Sequence, residues 1–155
     1  MYFLKKSVNI VIDSVIHIVI SLEIFLIAYF KTGKVFYLLP AVLGGVLIDI
    51  DHVIDYLIQF RKVDFKGLLF FPYRKRKNIY LFFHSWELVI IFFLFSFFYD
   101  SLFWQIFSYS WALHLLVDNI DGAKDKRFFH YFFIYRLAKK FKTEKLKGFI
   151  FDKRL

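Results

Sequence analysis

Histidines and aspartates recur inside the long apolar stretches of this sequence. One stretch carries Asp49-Ile50-Asp51-His52, another carries His84, and a third carries His114 and Asp118. Imidazole nitrogens and carboxylate oxygens are ligands for divalent cations such as Zn²⁺. An ionisable group in a lipid-facing segment costs roughly 2.5 to 3.5 kcal/mol on insertion scales, so chains keep such groups for function or for mutual pairing. The pattern therefore predicts one shared metal site.

The spacing of these residues decides which of them can act together. His114 and Asp118 are four residues apart and share a helix face, and Asp49 and His52 share another, whereas Asp51 points away from Asp49. We therefore expect one of the two aspartates to face the site and the other to support it or to pack between helices. Taken alone, the pair of His114 and Asp118 is explained equally well by a hydrogen bond near a helix end.

Two further histidine groups extend the set. His84 stands three residues before Glu87, so Glu87 is either a second ligand, a general base or only a residue that orients His84. His17 follows Asp13 by one helical turn, which suits a metal-ligating imidazole whose second ring nitrogen is held by a carboxylate. The candidate metal ligands are therefore His17, Asp49, His84, His114 and Asp118, and the candidate catalytic residues are Glu87 and Asp51.

The composition indicates an integral membrane protein. Of 155 residues, 59% are hydrophobic and 24% are aromatic, and the net charge of +9 lies mainly between the apolar stretches. The chain has no cysteine, which excludes thiolate ligands. Four stretches come near the ~20 residues that cross a membrane as a helix, with breaks expected at Gly33 and at Asp100 and Ser101. The predicted spans are 7–30, 35–60, 79–99 and 101–120.

The predicted fold is all-α: an integral membrane four-helix bundle with a basic amphipathic interfacial helix at its C-terminal end. Residues 1–122 form the four-span domain with the metal site. Residues 123–155 form the basic aromatic tail, in which apolar residues recur every four positions from Phe129 to Phe141. Basic residues lie beside both termini and between the second and third spans, which predicts cytoplasmic termini. On this topology, at 1.5 Å per residue, every candidate ligand lies about 4 to 15 Å below the cytoplasmic face.

The order of the motifs resembles a known family. It is similar to the YdjM-like family of bacterial and archaeal membrane-bound, metal-dependent hydrolases, which look like an intramembrane branch of the zinc phospholipase C and single-strand nuclease superfamily. The matching motifs are His17, Asp49-Ile50-Asp51-His52, His84-Ser85 and His114 with Asp118. The resemblance implies that Asp49, His84, His114 and Asp118 hold one zinc ion, and that Asp118 and His17 hold a second ion.

The resemblance implies a prokaryotic plasma-membrane hydrolase that uses one or two divalent ions, with zinc expected first. The substrate would be a phosphoester, such as a phospholipid, reached from the cytoplasmic face. Glu87 or Asp51 would accept a proton, and the basic segment Arg74–Lys77 would attract anionic inner-leaflet headgroups. Nucleic acid is not an expected partner, because the aromatic residues lie in lipid-type sequence.

The alternative prediction is a membrane protein without catalysis. The same histidines and aspartates would then bind or pass ions, or would form a structural network that fixes the helices together. Transport needs a polar route to the outer face. The outer parts of the third and fourth spans, 90–98 and 102–108, offer almost no polar side chain, which favours a site open on one side. The sequence specifies no oligomeric state.

Overall fold

The structure is a computed structural model that describes residues 2–61, 77–124 and 127–146. This part of the chain confirms the all-α prediction, since it forms helices and contains no β-strand beyond one isolated bridge between Asn78 and Lys142. Short 3-10 helices lie at Val35–Tyr37, Leu47–Asp49, Phe128–Tyr131 and Thr143–Lys145. The α-helices are α1 Tyr2–Thr32, α2 Leu38–Gly45, α3 Ile50–Phe60, α4 Trp86–Phe98, α5 Leu102–Lys124 and α6 Phe133–Ala138.

The chain forms two compact units. Unit 1 comprises Met1–Ile48 and Leu88–Leu116, and unit 2 comprises Asp49–Glu87 and Val117–Leu155. Each candidate ligand therefore belongs to one unit: His17 and His114 to unit 1, and Asp49, His84 and Asp118 to unit 2. The predicted division into a four-span domain and a tail stays a prediction.

Unit 1 is held together by close helix contacts at small residues. A Cβ atom added at Gly44 would overlap the backbone carbonyl of Phe107, and one added at Gly45 would overlap the hydroxyls of Ser21 and Ser110. Small residues let helix backbones approach in this way, as they do in membrane proteins. The buried core of this unit contains Ala28, Ala41 and Ile106, with Ile24, Phe25 and Tyr37 packed against it.

The helix breaks in unit 1 follow the sequence. Gly33 directly follows α1 and has a φ angle of 69°, a left-handed conformation that glycine adopts without steric cost. Asp100 lies between α4 and α5 with a φ angle of 43°. The breaks predicted at Gly33 and at Asp100 are both confirmed.

Two of the four predicted spans are long and apolar enough to cross a membrane in the described part of the chain. These segments are Ile12–Thr32 and Val35–Phe60. The third predicted span is shorter than expected: residues 79–85 are not helical, and the apolar helix that follows is α4, with 13 residues. The four-span membrane topology therefore stays a prediction.

Unit 2 contains the C-terminal part that was predicted as one amphipathic helix. It is instead divided into a 3-10 helix at Phe128–Tyr131 and the six-residue α6. Phe132 separates them in an extended conformation, and Lys140 and Phe141 both have φ angles of 56°, which end any continuation. The buried core of this unit comprises Ile79, Leu81 and Leu146, with Tyr135 packed against it.

Candidate metal centre

The motif around Asp49 lies where α3 begins. Asp49 ends a 3-10 helix and is the N-cap residue of α3, while Asp51 and His52 lie in its first turn. Asp49 Oδ1 is 3.7 Å from His52 Nε2, so these two side chains share a side of the helix, as helical periodicity predicts. Asp51 is buried, with 3% of its surface exposed. The start of α3 therefore presents carboxylates in two directions.

His84 is held from one side by Asp51. Its Nδ1 atom lies 2.9 Å from Asp51 Oδ1 and 3.1 Å from Asp51 Oδ2. The same carboxylate accepts the backbone N–H of Phe83 at 2.8 Å and that of His84 at 3.2 Å. Both N–H groups belong to the non-helical residues that precede α4, which begins at Trp86. Asp51 therefore fixes both the backbone and the imidazole of His84.

The opposite nitrogen of His84 faces two further carboxylates. His84 Nε2 is 3.3 Å from Asp49 Oδ1 and 3.2 Å from Asp118 Oδ2. With Nδ1–H donated to Asp51, the neutral imidazole has its lone pair on Nε2. A lone pair and two carboxylates repel one another unless a positive charge lies among them. The cluster needs either a bound cation or a second proton on His84.

The distances between these donor atoms suit the ligands of one small cation. Atoms bound to zinc at about 2.1 Å and at tetrahedral angles are about 3.4 Å apart. The separations of His84 Nε2 from its two aspartate partners, 3.3 and 3.2 Å, are close to this value. Asp51, His52 and His84 form another group, in which each residue offers one ligand atom within 4.8 Å of the others. The donors therefore fit a divalent cation held by nitrogen and oxygen.

Comparisons of the chain with family models, curated proteins and solved structures found no match. The resemblance to the YdjM-like family stays a prediction carried by the motifs.

Unit 1 holds the other two predicted ligands, His17 and His114. Both are buried, and their rings stack with centroids 3.8 Å apart and planes 22° apart. His114 Nδ1 lies 2.9 Å from the carbonyl oxygen of Gly45, which makes Nδ1 the donor. His17 Nε2 is 3.6 Å from Asp13 Oδ1, the neighbour that the sequence indicated.

Within each unit, the structure brings predicted ligands together. Asp49 and Asp118 both face His84 in unit 2, and His17 and His114 face each other in unit 1. A single site shared by all five residues stays a prediction.

Glu87 has a structural role that the sequence left open. Its carboxylate accepts the backbone N–H of Phe133 at 2.8 Å and that of Ile134 at 3.0 Å. Phe133 and Ile134 are the first residues of α6, so Glu87 satisfies N–H groups that a helix start leaves without intrahelical partners. The predicted general-base role of Glu87 stays a prediction beside this contact.

Sequence reasoning singled out neither Arg136 nor His130 as a site residue. Both are buried in unit 2 and line a cavity that the His84 ring also lines. Arg136 belongs to a run of basic residues, and nothing in that run distinguishes a buried guanidinium from the solvated cations beside it. The basic segment Arg74–Lys77 lies outside the described residues except for Lys77.

Proposed function

We propose that this protein is a membrane-embedded, metal-dependent hydrolase that acts on a phosphoester at the cytoplasmic face. The observation that carries the proposal is the environment of His84 in unit 2. One ring nitrogen is held by a buried carboxylate, and the other faces two carboxylate oxygens within 3.3 Å. Metal-ligating histidines typically have this arrangement, in which an outer carboxylate fixes the tautomer and the orientation of the ring.

In the proposal, Asp49, His84 and Asp118 hold a divalent cation, and Asp51 positions His84. Zinc is the first expectation for such nitrogen and oxygen donors, and manganese or iron also suits them. A divalent cation bound there supplies Lewis-acid chemistry, lowering the pKa of a water molecule and offsetting negative charge on a phosphoryl oxygen. The motif resemblance adds His17 and His114 as further ligands, an assignment that separate variants of these residues test.

Asp51 and Glu87 were the predicted proton acceptors, and both carboxylates have other contacts in unit 2. Asp51 is bound by the ring and the backbone of His84, which suits a positioning residue. Glu87 is partly exposed, and this exposure supports keeping it as the candidate base.

The membrane part of the proposal is supported by the surface of the helices. Two segments are long and apolar enough to cross a membrane. Large apolar side chains on α1 and α4 are more than half exposed, including Ile27, Phe30, Ile91 and Phe98. Soluble monomers rarely expose large contiguous apolar surfaces, whereas lipid covers them. The charge bias of the sequence supports cytoplasmic termini and attraction of the basic tail to anionic headgroups.

The rival function is a structural ion network without metal. A doubly protonated His84 would donate to carboxylates on both sides and would balance the same charges. Buried ion pairs can be retained for structural specificity rather than for stability. The two functions differ in a measurable way, since only the hydrolase needs a bound cation and turns over a phosphodiester.

The test combines metal analysis with an activity screen on the detergent-purified full chain. We expect wild type to carry a divalent cation and to hydrolyse at least one phosphodiester from a set of phospholipids and nitrophenyl esters. Asp49→Asn should lose both properties. Asp100→Asn is the matched control, because Asp100 is exposed, lies between α4 and α5, and adopts a left-handed conformation that asparagine tolerates. Bound metal without turnover of any ester would favour the binding alternative.

A further inference from the structure

A cavity in unit 2 has an unusual lining. It is small and partly open, with a cavity volume of about 30 Å³. Its walls carry two guanidinium groups, three imidazoles, one phenol and two aliphatic side chains, and no carboxylate lies among the described lining residues. The lining residues are His52, Ile79, Leu81, His84, Arg127, His130, Tyr131 and Arg136. Such a lining is complementary to an anion.

Arg136 is the best-buried cation of this cavity. Only 1% of its surface is exposed, and its Nη2 atom donates to Ser85 Oγ at 2.5 Å. Its Nε atom is buried without a hydrogen-bond partner among the described residues. An unsatisfied N–H of a buried charged group is costly. Burial lowers the pKa of Arg136 to about 10, so the guanidinium still carries its charge at neutral pH.

The nearby carboxylates are bound by other groups. Asp51 holds His84, Glu87 holds the start of α6, and Asp55 accepts the backbone N–H of Tyr80 at 3.0 Å. These charges attract Arg136 electrostatically. None of these hydrogen bonds supplies a planar, two-oxygen partner for the guanidinium. A phosphate group, with several oxygens at one centre, matches the donor fork of arginine.

We propose that this cavity is an anion subsite in which Arg136 and Arg127 bind the phosphate group of the substrate. The proposal rests on the proposed hydrolase function, because the His84 ring lines the cavity and thus lies beside any anion bound there. The phosphate could belong to a lipid headgroup or to a soluble phosphoester, and both present the same non-bridging oxygens. The arginines would orient this group, which makes them binding residues and leaves metal binding to the aspartates.

The test uses chelator-treated full-length protein, so that anion binding is measured without metal. The probes are inorganic phosphate and dihexanoyl phosphatidylglycerol, titrated by calorimetry in detergent. We expect both Arg127→Gln and Arg136→Lys to weaken phosphate binding by about tenfold or more, because each loses charge-assisted donors or their fork geometry. Lys145→Gln, which removes an exposed charge of the same unit, should bind phosphate like wild type.

Each outcome decides between defined alternatives. Lipid binding that is lost with the arginines supports a headgroup source, and binding of phosphate alone supports a soluble phosphoester. Failure of wild type to bind either probe, or equal binding by the arginine variants, would overturn the subsite. Circular dichroism checks that each variant folds, and Arg136→Lys retains the buried charge at that position. Loss of metal binding in Asp49→Asn tests the hydrolase proposal independently, since the anion titration contains no metal.

Discussion

The two units treat their buried histidines in opposite ways. In unit 1, His17 and His114 stack ring against ring, and His114 bonds a backbone carbonyl. In unit 2, His84 is surrounded by the carboxylates of three aspartates. His17 Nε2 lies 3.6 Å from Asp13 Oδ1, which is further than the aspartate oxygens lie from His84. The carboxylates of unit 2 require a positive charge. Charge balance, more than ligand type, therefore identifies where a positive charge is needed.

Removing His84 should have the largest effect on metal content and stability. In His84→Ala we expect metal content to fall to background and the free energy of unfolding to fall by about 3 to 5 kcal/mol, because buried Asp51 loses its charged or metal-linked partner. Elemental analysis and denaturation in detergent measure the two effects. His114→Ala is the comparison from unit 1, where the ring bonds a neutral backbone carbonyl. Because a neutral hydrogen bond contributes less than a charged one, a smaller loss of stability is expected. A larger loss of stability in His114→Ala than in His84→Ala would contradict this difference between the two units.

Asp51 tests whether the outer carboxylate positions His84. Asp51→Asn should weaken metal affinity by about 10- to 100-fold, as loss of an outer-shell partner typically does. Competition with a chromogenic chelator measures the change. Asp55→Asn is a matched control one turn further along α3, since Asp55 is equally buried and binds the Tyr80 N–H instead. Equal losses in the two variants would show that Asp51 has no special role.

Gly45→Ala tests the close helix packing of unit 1 without changing its charge. The Cβ atom of Gly45→Ala would overlap the hydroxyls of Ser21 and Ser110. We expect the free energy of unfolding to fall by about 1 to 3 kcal/mol, as overpacking generally costs. The divalent cation that we propose for unit 2 should be retained, and elemental analysis of the folded variant checks this. An unchanged melting temperature would contradict the close packing described for this helix contact.

Glu87 gives the smallest expected stability change and separates two roles. Glu87→Gln keeps an acceptor for the N–H groups of Phe133 and Ile134 and loses only the charge at the start of α6. We expect a stability loss of about 0.5 to 1 kcal/mol, measured by thermal unfolding. If Glu87 is also the general base, phosphodiester turnover should fall by about 10²- to 10⁴-fold at unchanged metal content. Unchanged turnover would leave Glu87 as a helix cap only.

The sequence predicts the local features well. Helical periodicity places Asp49 beside His52 and turns Asp51 away, and the structure uses both directions around His84. Gly33 and Asp100 mark the helix breaks because their backbone conformations follow from residue type. These features depend on neighbours within a few positions along the chain.

The features that sequence reasoning missed depend on distant contacts. Residues 79–85 were predicted as helix, and the carboxylate of Asp51, more than 30 positions away, holds the N–H groups of Phe83 and His84 instead. The C-terminal amphipathic pattern was predicted as one helix, and Glu87 caps only its second half. Buried Arg136 looks like its basic neighbours in sequence. Hydrophobic periodicity carries no information on such partners.

X-ray absorption spectroscopy tests the central claim, a cation at His84, most directly. With metal quantified per chain, the account predicts at least one divalent cation coordinated only by nitrogen and oxygen at about 2.0 to 2.2 Å, with imidazole in its shell. Asp118→Asn should abolish this signal, and Asp100→Asn should preserve it. A fully folded wild-type protein that takes up no divalent cation, even when zinc is added, would contradict the account and leave a protonated histidine among the aspartates.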